Sequence, residues 1–145
     1  MGKREERARE LFSNGYNCAQ SVLGAFCEDG GLDFISALKL AAGFGGGLRC
    51  GEVCGAVTGA VMALGLRYGF YIEKDFEQKN ICNAKTYEFI QKFTEAKGSV
   101  LCRDLLGADV RKPEDHLLPA ARESHQKLCP DIVAAAVRIL ESMIE

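Results

Sequence analysis

The chain has 145 residues, enough for a single domain with a core of its own. Its 48% hydrophobic and 26% charged residues are ordinary for a globular protein, and a net charge of -2 gives no reason to expect nucleic acid or an acidic membrane as partner. Seven cysteines are the one departure from average composition.

The first residues, MGKREERARE, contain no apolar run that could act as a secretory signal. The expectation is a cytoplasmic protein with reduced thiols, in which clustered cysteines bind metal or do redox chemistry rather than staple the fold. EERARELFSNG predicts a helix with Ala8, Leu11 and Phe12 on one face, stopped at Asn14-Gly15. NCAQSVLGAFCEDGG predicts a second behind Asn14 or Asn17, with Ala19, Val22, Leu23 and Phe26 inward, and LDFISALKLAAGF a third. GFGGG then reads as a flexible turn, since a phosphate-binding reading needs a preceding strand.

A small-residue helix is predicted from about Gly51 to Tyr68. Its apolar run ends at Arg67, short of the roughly 20 residues a spanning helix needs, so it reads as a buried central helix. Residues 74 to 97 predict one long amphipathic helix or two shorter ones, with Phe76, Tyr87, Ile90 and Phe93 among charges. SVLCRDLLG reads as a short helix, begun by Ser99 and closed by Gly107 and followed by the loop ADVRKPEDHLLP. In CPDIVAAAVRILESMIE, Pro130 suits the first helical position and Asp131 the positive N-terminal dipole. No segment alternates as a half-buried strand does. The predicted fold class is an all-α, compact multi-helix single domain over residues 1–145, with a buried small-residue central helix.

Mapped onto these elements, four cysteines fall at helix N-termini. Cys18, Cys54 and Cys102 lie in first turns, and Cys129 at an N-cap before Pro130. Free N–H groups and the helix dipole lower a thiol's pKa there, and the thiolate is both nucleophile and metal ligand. Cys27 and Cys82 read as small apolar filler, with Cys50 between the two groups. A Cys50–Cys54 disulfide would require Cys50 to lie in a loop. Gly51, Gly55, Gly59 and Ala63 recur every fourth residue, leaving a flat stripe that another helix, a cofactor or a second copy of the chain can approach. Of the two histidines, His125 stands one turn before Cys129, where it could take its proton or join a metal site; both are read as solvated. Glu52 is read as serving the dipole of the central helix.

GYNCAQSVL (15–23), FGGGLRCGEVCGAVTGAVMALGLRYG (44–69), CRDLLG (102–107) and CPDIVAAAV (129–137) together resemble the C_GCAxxG_C_C family of redox-active proteins. Where the family label spells GCAxxG, this chain reads Cys54-Gly55-Ala56-Val57-Thr58-Gly59. The resemblance implies that the characteristic cysteines are Cys18, Cys54, Cys102 and Cys129, and that they act as a redox site with an as yet unspecified redox partner. The leading expectation is that these four converge, either as ligands of an iron-sulfur cluster or another metal, or as exchanging thiols with Cys54 attacking first. The alternative is a non-catalytic structural zinc module.

Overall fold

The computed structural model describes residues 2–144. Seven α-helices account for the fold: α1 (Lys3–Ser13), α2 (Cys18–Phe26), α3 (Phe34–Ala41), α4 (Gly55–Tyr68), α5 (Phe76–Lys97), α6 (Cys102–Leu106) and α7 (Pro119–Met143). Among the described residues there is no strand, only an isolated antiparallel bridge between Val53 and Leu101. No described helix is long and apolar enough to cross a membrane.

Local chemistry explains most boundaries. Asn17 caps α2 by accepting from the backbone N–H of Gln20, whose side chain accepts from the Asn17 N–H in return; the two bonds satisfy donors that a helix start otherwise leaves unpaired. Asp75 caps α5 through the Gln78 N–H, and Gly98, at φ 88°, closes it in the left-handed region. Residues 76–97 are one uninterrupted helix, anchored by the fully buried, stacked rings of Phe89 and Phe93.

α4 is the central helix, packed against α2, α5 and α7. It begins at Gly55 rather than Gly51, so only Gly55, Gly59 and Ala63 of the expected stripe are helical. That stripe is consumed within the chain. A Cβ on Gly59 would stand 2.7 Å from the Ala19 carbonyl oxygen of α2, and one on Gly55 would stand 3.0 Å from the Ala19 nitrogen. The glycines therefore let two backbones meet, and the face expected to be open to a second copy is filled by α2.

Between α3 and α4 the chain makes an unusual turn. Gly46, Gly47, Leu48 and Arg49 all take left-handed conformations, with φ between 58° and 63°. For Leu48 and Arg49 this costs about 1–2 kcal/mol each. Gly47 has no alternative to glycine, because a Cβ there would lie 2.5 Å from the Glu52 carbonyl oxygen and 2.8 Å from the Cys102 Cβ. Glu52 precedes α4 and pairs with Arg103 at 2.5 Å instead of serving a helix dipole.

The last helix differs most from expectation. Pro119, not Pro130, occupies its first turn, and Pro130 lies inside it. Cys129 is consequently mid-helix rather than an N-cap. A proline at a first turn and one inside a helix share the same φ; what decides here is that residues on both sides of Pro130 find helical packing. From Ile132 to Val137 every residue is buried, whereas upstream Ala121 and Cys129 are the buried positions.

Candidate functional site

Four segments carry the expected cysteines to one buried region. Cys18 opens α2 behind its capping box. Cys54 is the N-cap of α4, and Cys102 opens α6. Around the Val53–Leu101 bridge, the Cys54 N–H donates to the Val100 carbonyl and the Cys102 N–H to the Glu52 carbonyl, both at 2.7 Å. Cys129 comes from α7. The thiols of Cys54, Cys102 and Cys129 all act electrostatically on Cys18, so the four are neighbours. All seven cysteines are free; fully buried Cys27 bonds the Gly24 carbonyl through its thiol, as filler would. Cys50 lies in the left-handed turn, its Sγ 3.5 Å from the Gly47 carbonyl oxygen.

Four thiols beside two histidines have the donor chemistry of a soft-metal site. Among the described residues, however, no group of three or more His, Cys, Asp or Glu side chains is arranged to hold a metal ion. The sulfurs are neighbours without a common coordination point.

Their ionisation separates them. Burial pushes the Cys54 thiol up to about 11, against backbone N–H groups of Ala56 and Val57 that pull it down. The helix N-terminus thus has the expected effect, but desolvation outweighs it. Burial also pushes Cys102 up to about 12, aided by Cys54 and Cys129. Cys129 goes the other way, to about 6: interaction with the neighbouring Cys18 thiol stabilises its thiolate most, with His125 adding to it against the cost of burial. Cys18 is raised well above the ordinary value, first by that same interaction with Cys129 and then by burial. The pair titrates as a unit that gives up one proton readily and holds the second.

Behind the pair stands a histidine relay. His125 Nδ1 lies 3.2 Å from Cys129 Sγ, and His125 Nε2 lies 3.2 Å from His116 Nδ1. One arrangement satisfies both contacts with Cys129 as acceptor: His125 Nδ1–H donates to the sulfur, and His116 Nδ1–H donates to His125 Nε2. His116 is buried, at 3% exposure, contrary to the solvated reading. Burial first, then the nearby Arg49 charge, hold its pKa below the usual histidine range. The backbones of Val110 and Arg49 act weakly in the other direction, yet its Nε2 has no partner in hydrogen-bond geometry. Bare Gly46 makes room for this ring, since a Cβ there would meet His116 Cε1 at 2.7 Å.

The spacing of His125 and Cys129 is visible in sequence; His116 is joined to them only by the fold. Removing the nearer imidazole should be measurable. His125→Ala is expected to move the midpoint of thiol alkylation up from about 6, by about one to two pH units. Because the thiolate is the reactive form and is lost as pH falls through the pKa, the variant should be slowest relative to wild type near pH 6 and equal to it in alkali. Rate–pH profiles with iodoacetamide, read by peptide mass, check this.

The fold and site define a class: an all-α protein carrying a buried, asymmetrically ionised dithiol backed by two histidines. Residues 16–143 match the family model C_GCAxxG_C_C, described as "Putative redox-active protein", and the chain belongs to that family. No curated protein and no solved structure matches it.

Proposed function

We propose that this chain is a thiol–disulfide redox protein whose working pair is Cys18 and Cys129. The observation that carries the reading is the placement of His125 Nδ1 3.2 Å from Cys129 Sγ, on a sulfur whose ionisation is tied to that of neighbouring Cys18. Cys54, the expected nucleophile, is held protonated by burial, as is Cys102.

Cys18 is the sulfur that lines the adjoining cleft, and Cys129 is where the charge rests. In the first step the Cys18 proton passes to Cys129, and the Cys18 thiolate attacks one sulfur of a substrate disulfide. A Cys18–substrate disulfide forms, the substrate S–S bond breaks, and the departing thiolate takes the proton from Cys129. The Cys129 thiolate then attacks Cys18 Sγ, forming the Cys18–Cys129 disulfide and expelling the second substrate thiolate. Two electrons pass from the protein dithiol to the substrate sulfurs, and a donor of the dithiol class resets the pair by the reverse exchange.

Oxidation with diamide is expected to yield a Cys18–Cys129 disulfide, identified by mass spectrometry of non-reduced peptides. A linkage between other cysteines would rule the pair out. Stoichiometric iron or zinc in anaerobically purified protein would instead favour an iron-sulfur or zinc site on Cys18, Cys54, Cys102 and Cys129.

A further inference from the structure

We infer that the cleft beside Cys18 is a recognition site for a small anionic thiol or disulfide, with Arg49 and Arg122 binding its carboxylates. The inference rests on the exchange reading and adds the substrate class.

The cleft has a volume of about 430 Å³, the size of a small-molecule site rather than a flat protein-docking face. Tyr16, Cys18, Arg49, His116, Arg122 and His125 line it, and no Asp or Glu does. In a chain of net charge -2, a concave surface with two guanidinium groups and no acid is a local reversal of sign. Among the described residues neither arginine has an ion-pair partner, while Arg4, Arg9, Arg103, Arg111 and Arg138 each do. Two further features single out this wall. Arg49 is held at φ 58°, a conformation that costs a non-glycine residue and persists where surrounding structure enforces it. His116, 3% exposed, leaves Nε2 without a hydrogen bond.

A guanidinium suits the planar, two-oxygen face of a carboxylate, and Arg49 comes from the turn while Arg122 comes from α7. A ligand held between them lies in the same cleft as Cys18. The arginines would therefore select the substrate, and the dithiol would react with it.

The test compares two alkylating probes of nearly equal size, anionic iodoacetate and neutral iodoacetamide, by the rate at which each modifies Cys18. In the Arg49→Gln/Arg122→Gln protein the iodoacetate-to-iodoacetamide ratio should fall about tenfold, the iodoacetamide rate in each protein serving as the reference for its own thiol reactivity. Arg49→Lys/Arg122→Lys should recover most of the ratio, and in wild type added salt should lower it. An unchanged ratio would overturn anion recognition and leave the exchange reading standing. Failure of both probes to modify Cys18 in the wild-type protein would overturn both.

Discussion

Cys129→Ser is expected to stop disulfide reduction after the first bond and to leave the substrate attached to Cys18. With a chromogenic dicarboxylate disulfide, and with Cys50 and Cys82 replaced by serine to remove the two half-buried thiols, the wild-type pair should release two equivalents of coloured thiolate per chain. Cys129→Ser should release one and retain the adduct, located on Cys18 by peptide mass. The second step is lost completely because the resolving sulfur is gone. The first step should also slow, since serine does not supply the thiolate that takes the Cys18 proton. Cys18→Ser should release almost none, because the remaining sulfur does not line the cleft. Rapid labelling of Cys129 in that variant would reverse the assigned roles of the two sulfurs.

The second large effect concerns the α2–α4 contact that positions Cys18 and Cys54. Gly59→Ala should destabilise the protein although alanine favours helix. The new methyl would meet the Ala19 carbonyl oxygen at 2.7 Å and its Cα at 3.1 Å, and backbone does not yield as a flexible side chain does. Overpacking of this kind costs about 1–3 kcal/mol, against which better helix propensity returns a little under ~1 kcal/mol. A net loss of about 1 kcal/mol corresponds to a melting point lower by roughly 2–4 °C. Gly65→Ala, in the same helix, should do the opposite. A Cβ there meets nothing within 4 Å, so the gain in propensity stands alone and the melting point should rise by about 2–4 °C. Thermal denaturation of the two variants side by side separates packing from propensity; a destabilised Gly65→Ala protein would contradict the open space assigned to that position.

The helices were legible where chemistry local to the chain marks their ends. Asn17, Asp75, Gly98 and Gly107 act as caps or stops in the structure as their residue types imply. Cys18, Cys54 and Cys102 were correctly located at helix starts for the same reason. Cys129 was not, because the two prolines of the last helix are locally equivalent and only tertiary packing distinguishes them. The start of α4 was missed by four residues, since nothing in Leu48 or Arg49 announces a left-handed backbone. The acid–base pattern was least legible. A dipole argument ranks Cys54 first, but the burial that overrides it, and the Cys18–Cys129 contact that creates the acidic thiol, are properties of the folded chain. His116 is the extreme case: a residue in a polar loop sequence, turned inward by a 3₁₀ turn at Pro113–Leu117.

Pro130 has a consequence for how substrate reaches sulfurs that are only 4–6% exposed. Lacking an N–H, it leaves the Gln126 carbonyl without its usual helical donor, so α7 is joined at this point by its backbone and side chains alone. The stretch after Pro130 is rooted in the core from Ile132 to Met143, and the stretch before it holds mainly through Ala121, Cys129 and the histidine pair. The two halves therefore differ in the free energy needed to detach them. Because His125 and Cys129 both lie in the first half, a loosening hinged at the proline carries them together, away from Cys18 and His116, while the core stays folded. Access to Cys18 is then coupled to separation of the two sulfurs, while Cys129 keeps its imidazole neighbour.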